Sequence, residues 1–157
     1  MKRKLPLLSL VLIITIFLAG CGGSGTVIPE TNLTGNWTTT NTTTFTTSSQ
    51  IADIGAVTTA KCNIVDNSGS LTLYNFYIVG QPFISWNTGY GTFKNSIITA
   101  NISGSYLNVY GSTVSTVIYF EGTINSSGIS GSGTWIQTVS VYGYSDSASG
   151  TTIFIKG

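Results

Sequence analysis

The chain has 157 residues, 41% of them apolar and only 7% charged, with two cysteines and no histidine. That length suits one ordinary domain. The absent histidine excludes Ser-His-Asp chemistry and the commonest zinc ligand, and six Lys/Arg against five Asp/Glu leave no basic patch for nucleic acid.

The N-terminus carries a cationic start, "MKRK", an apolar run, "LPLLSLVLIITIFL" (5–18), and a small-residue close, "LAGC" (18–21). This is the layout of a secretory signal. The run is 14 residues long, short of the roughly 20 that a membrane-spanning helix needs. "LAGC" resembles the lipobox of bacterial lipoproteins. The resemblance implies that Ala19 and Gly20 admit the signal peptidase, that Cys21 is alkylated with diacylglycerol, and that the mature chain starts there. Its acyl chains then make the membrane a partner. Residues 1–20 are thus expected as signal peptide, 21–32 as lipidated cysteine and flexible tether, and 33–157 as one β domain. The mature chain keeps Lys61, Lys94 and Lys156 against Glu30, Asp53, Asp66, Glu121 and Asp146, a net side-chain charge of −2. Gly22 rather than Asp follows the cysteine, which in Gram-negative lipoproteins implies the outer membrane. With Cys21 lipidated, Cys62 has no internal disulfide partner and reads as a buried thiol.

Beyond the Gly/Pro-containing tether, Thr, Val, Ile, Tyr and Phe dominate, and no apolar 3.6-residue stripe persists. Strands are expected at about 34–47, 51–65, 70–79, 82–87, 92–102, 105–110, 113–125, 129–142 and 150–156. Turns are expected at "DNSG" (66–69), "SGS" (103–105), "NSSG" (125–128) and "SASG" (147–150). The threonine run 38–49 reads as the first strand continuing to a polar rim, with a flexible stalk as the alternative. In strand 51–65 the even residues, from Ala52 and Ile54 to Cys62 and Ile64, make an apolar face. Val114, Ile118, Phe120 and Ile124 make another, as do Trp135, Val139 and Val141, and Ile153 with Ile155. The strand "LTLYNFYIVG" (71–80) is apolar on both faces, so its outer face is expected to be covered or to form a contact surface.

Eight or nine strands with short connections require an antiparallel meander. An all-β, closed up-and-down barrel removes the edges of such a sheet; a β-sandwich is the alternative.

The residues offer little for catalysis. The acids are scattered singly, no Asp-rich loop suggests a metal, and the Gly-rich segment near 128–135 lacks the lysine and helix of a phosphate loop. No cofactor, no metal and no enzymatic activity are expected. Aromatic residues are plentiful, and "SWNTGYGTF" (85–93) places Trp86 and Tyr90 on a Gly-rich segment as candidates for ligand recognition. Glu121 is the candidate polar anchor.

"LTGNW" (33–37) places Gly35 and Trp37 at the start of the first strand, and this Gly-x-Trp resembles that of lipocalin-like (calycin) barrels. The resemblance implies a tryptophan plugging one barrel end and a cation from the last strand packed across it, here Lys156. The expected function is a lipid-anchored envelope protein with a non-catalytic barrel that takes a small apolar ligand. The alternatives are an interaction module that docks an envelope protein through strand 71–79, and a sugar-binding sandwich using Trp86 and Tyr90.

Overall fold

The computed structural model describes residues 31–47 and 53–157. The signal, Cys21 and most of the tether lie outside the described residues. The described chain is all β, with nine antiparallel strands: β1 (Gly35–Thr46), β2 (Val57–Asn67), β3 (Ser70–Ile78), β4 (Ser85–Trp86), β5 (Gly89–Lys94), β6 (Ile97–Leu107), β7 (Thr113–Ile124), β8 (Ser130–Val141) and β9 (Tyr144–Lys156). Apart from the short β4, which β3 skips to pair with β5, each strand pairs with the next in the chain, and β1 pairs with both β2 and β9. The meander therefore closes into an eight-stranded barrel, with β4 as a two-residue piece on β6 beside β5. Closure leaves no long unpaired edge, which answers the problem that any long antiparallel meander faces.

Turn chemistry fixes the register. Ser68–Gly69, Asn95–Ser96 and Tyr142–Gly143 each join directly paired strand ends with both residues at positive φ. That is the two-residue hairpin turn whose twist matches the strands it joins. Thr47, residues 53–56 and the connections 79–84 and 108–112 lie at the end of the barrel where Tyr142–Gly143 sits; we call this the open end. Ser68–Gly69, Asn95–Ser96, the 125–129 loop and the incoming segment 31–34 lie at the closed end.

Alternation places one apolar face of each strand inside. Val114, Ile118, Phe120 and Ile124 are buried on β7, Trp135 on β8, and Ala60, Cys62 and Ile64 on β2. Several local expectations need correction, among them the strands expected at 92–102 and 105–110, which are instead β5 and β6 with their turn at Asn95–Ser96. On β9 the inward residues are Ala148, Gly150, Thr152 and Phe154, whereas Ile153 and Ile155 are about half exposed on the outer wall. "SGS" (103–105) and "SASG" (147–150) are not turns but lie within β6 and β9. Their glycines make room for bulk: a Cβ on Gly104 would lie 2.7 Å from the Trp86 ring, and one on Gly150 would lie 1.8 Å from the Thr42 carbonyl oxygen and 2.9 Å from Trp135 Nε1. Strand β2 starts at Val57 rather than at 51, and Ile54 is exposed in the preceding turn.

A further correction concerns β3. Its two apolar faces are reconciled by a bulge at Asn75, where φ is 51° and the pairing with β2 slips between Lys61 and Asn63. One extra residue reverses the alternation. Leu71, Leu73, Phe76 and Ile78 all face the core, while Tyr74, Tyr77 and Val79 stay outside and exposed.

Candidate functional site

The two ends of the barrel differ in construction. At the closed end the incoming segment folds under the barrel floor. Leu33 is fully buried, and the Trp37 indole N–H donates to its carbonyl oxygen at 2.7 Å. Asp66 ties this segment to the β2–β3 turn, its carboxylate accepting from Leu33 N at 3.0 Å and Gly69 N at 2.8 Å. Lys156 sits opposite Trp37 in register, and its Nζ donates to the Asn32 carbonyl oxygen at 3.1 Å. A Cβ at Gly35 would lie 2.8 Å from Lys156 Cε, so glycine is what lets the lysine stem cross the strand. Gly35, Trp37 and Lys156 thus meet at one barrel end, with the ammonium directed to a backbone carbonyl.

Above this floor the lumen is filled. Trp37, Phe76, Phe120 and Phe154 surround a cavity of about 20 Å³. Phe120 packs against both Phe76 and Phe154, with ring centroids 6.3 and 6.4 Å apart. Cys62 also borders this space, and burial pushes its thiol up to about 12. That thiol is free and stays protonated at neutral pH.

Higher up, the inner wall turns polar. Thr39 and Asn41 on β1, Thr152 on β9 and the Trp135 indole N–H on β8 are buried, with Thr39 Oγ1, Asn41 Oδ1, Thr152 Oγ1 and Trp135 Nε1 unpartnered among the described residues. Gln137, the next inward residue after Trp135, donates from Nε2 to Thr116 Oγ1 at 3.1 Å.

Over this belt the open end forms a cup of about 250 Å³. Its walls come from separate parts of the chain: Phe83 from the β3–β4 connection, Tyr106 from β6, Val139 and Val141 from β8, and Tyr144 and Asp146 from β9. Phe83 and Tyr106 meet edge to face at 5.3 Å. Asp146 Oδ1 accepts from the Thr47 hydroxyl at 3.2 Å. Ser112 and the Tyr142 hydroxyl share a hydrogen bond that links two rim loops. The rim is exposed and apolar: Val109, Tyr110, Tyr142 and Tyr144 are each about four-fifths exposed or more.

The residues singled out from sequence do not converge here. Trp86 faces the interior, its ring 4.8 Å from Phe76 in a T-shaped contact and its indole N–H buried without a partner among the described residues. It fills the wall where the β3–β5 ladder ends at Leu73 and Gly89. Tyr90 projects from the outer wall, 65% exposed. Glu121 is also outside, accepting from the Tyr119 hydroxyl at 2.8 Å; this bond raises the Tyr119 pKa. Among the described residues no group of three or more His, Cys, Asp or Glu is placed to hold a metal.

No family model, curated protein or solved structure matches this chain. Its functional reading therefore rests on its own residues.

The cup had one signal in the sequence. Gln137 shares the inward parity of Trp135, Val139 and Val141, and Asp146 shares that of Ala148, Thr152 and Phe154. Polar side chains on otherwise inward faces mark where a core gives way to a site.

Proposed function

We propose that this chain is a lipid-anchored envelope protein whose barrel is a non-catalytic recognition module working through its open mouth. The observation that carries the reading is the contrast between a lumen with about 20 Å³ of free space and a cup of about 250 Å³ at the open end. A space of 20 Å³ is close to the ~10–15 Å³ minimum for a single water, so the apolar cargo expected in the lumen has no room among the core aromatic rings. Thr38, Thr40 and Thr42 on β1 and Ser145, Ser147, Ser149 and Thr151 on β9 alternate with the inward residues. This polar stretch of the outer wall on β1 and the first half of β9 suits contact with water. Attachment then falls to Cys21, through the lipobox-like "LAGC". The chain enters the barrel at its closed end, so the mouth lies at the pole opposite the tether's junction. The Gly-x-Trp likeness to lipocalin-like barrels gains support from the meeting of Gly35, Trp37 and Lys156, and Gly22 favours the outer membrane in a cell that has one.

A second reading has its own observation. Tyr74 and Tyr77 on the outer face of β3 and Val79 just beyond it form an exposed row suited to docking another envelope protein. Both readings are tested in intact cells expressing the full chain. Radiolabelled palmitate is expected on the wild type and absent from Cys21→Ser; equal labelling would refute the anchor. A photo-reactive phenylalanine in place of Tyr110 is expected to give adducts, and the same probe in place of Tyr90 none. Adducts only from a probe replacing Tyr77 would transfer the role to β3.

A further inference from the structure

Resting on the reading of the mouth as the recognition surface, we infer that the cup binds an uncharged saccharide of one or two pyranose rings. Its volume, about 250 Å³, falls just under the roughly 300 Å³ at which small-molecule pockets begin. Shape and chemistry narrow the class further. Phe83, Tyr106 and Tyr144 supply aromatic rings whose electron-rich faces attract the weakly positive C–H groups of a sugar face. Gln81, Gln137 and Asp146 supply planar groups able to engage two neighbouring hydroxyls at once.

These polar groups have capacity to spare. The Gln81 side-chain amide has no hydrogen bond among the described residues. Gln137 uses Nε2 on Thr116, and its amide oxygen has no partner among the described residues. Asp146 engages Thr47 through Oδ1, and its Oδ2 has no partner among the described residues.

Other ligand classes fit less well. Phosphates and other anions would meet the Asp146 carboxylate with no cation among the described residues that line the cup, because Lys94 and Lys156 end their strands at the closed end and Lys61 is exposed on β2 between the inward Ala60 and Cys62. A fatty acyl chain would desolvate two amides and a carboxylate without giving them a partner.

The experiment is a ligand-observed NMR titration of the full, acylated chain in a detergent without sugar headgroups. The probes are cellobiose, chitobiose and maltose, with hexadecanoate and inorganic phosphate as contrasts. Saturable binding of at least one disaccharide is expected, weakened tenfold or more by Tyr144→Ala and by Asp146→Ala, and unchanged by Tyr90→Ala. Retained amide dispersion in each variant shows that the barrel still folds. Failure of all three disaccharides to bind would overturn the saccharide inference, as would binding indifferent to both mouth substitutions. Hexadecanoate binding that is lost with Tyr144→Ala would overturn the saccharide class while leaving the mouth as the recognition surface. Absence of photo-adducts at Tyr110 would instead remove that underlying reading.

Discussion

The closed end and the open end are built from the same eight strands with opposite side-chain economy. At the closed end Leu33 and Trp37 are buried and the backbone of the incoming segment is pinned from both sides, by Asp66 and by Lys156. At the open end large rings stand in solvent, and the planar polar groups keep unused hydrogen-bonding capacity. Burying apolar area gains about 25 cal/mol per Å², so a ring left exposed on a rim contributes little to folding. The difference separates a region that stabilises the barrel from one left free to meet something else.

Substitutions at the two ends should therefore behave differently. The largest effect is expected at Trp37. Trp37→Ala removes the buried ring and its bond to Leu33, with a loss of about 3–5 kcal/mol read from the urea midpoint. A loss below 1 kcal/mol would mean that the floor is not part of the core.

Asp66→Ala should follow, at about 1–3 kcal/mol, because it strips the buried Leu33 N–H of its acceptor. Native-state hydrogen exchange would localise that loss to residues 31–37 and the β2–β3 turn.

Cys62 gives a pH-dependent test. Its pKa is 9.0 in the ordinary state and is pushed up to about 12 by burial. A raised folded-state value means that the contribution is intact below pH 9 and is lost as pH rises toward 12. The slope is about 1.4 kcal/mol per pH unit for one group. The wild type should therefore lose stability across that window faster than Cys62→Ala does, and a maleimide at pH 8 should label the thiol only after unfolding.

The smallest effect is expected at the mouth. Tyr144→Ala should change stability by no more than about 0.5 kcal/mol, measured in the same urea series. A loss comparable to that of Trp37→Ala would make the rim structural and erase the contrast.

Much of the barrel was legible from local pattern. The alternation on β7 and β8 gave the inward faces, and the turn residues at Ser68–Gly69 marked a hairpin. Legibility failed where one residue altered the phase or where a glycine served packing. Asn75 inserts a bulge that no period-2 count of "LTLYNFYIV" reveals, because both parities of that stretch are apolar. Gly104 and Gly150 look like turn residues in isolation, yet each lies where the backbone or a tryptophan passes too close for a side chain. Ile153 and Ile155 look like core, but Phe154 and the small residues Ala148 and Gly150 hold the opposite face inside.

The site itself was less legible than the fold. "LTGNW" pointed to the closed end, where Gly35, Trp37 and Lys156 do assemble. Trp86 and Tyr90 are close in sequence but lie on opposite sides of the wall. The cup draws Phe83, Tyr106, Gln137 and Asp146 from four stretches that only closure of the barrel brings together.

The central claim is that the lumen is core and that recognition belongs to the mouth. Native mass spectrometry of the acylated chain purified from its own cells tests it most directly. The account predicts the mass of the chain and its covalent lipid, with no apolar molecule retained. A fatty acid or isoprenoid that stays bound until the barrel unfolds would contradict it.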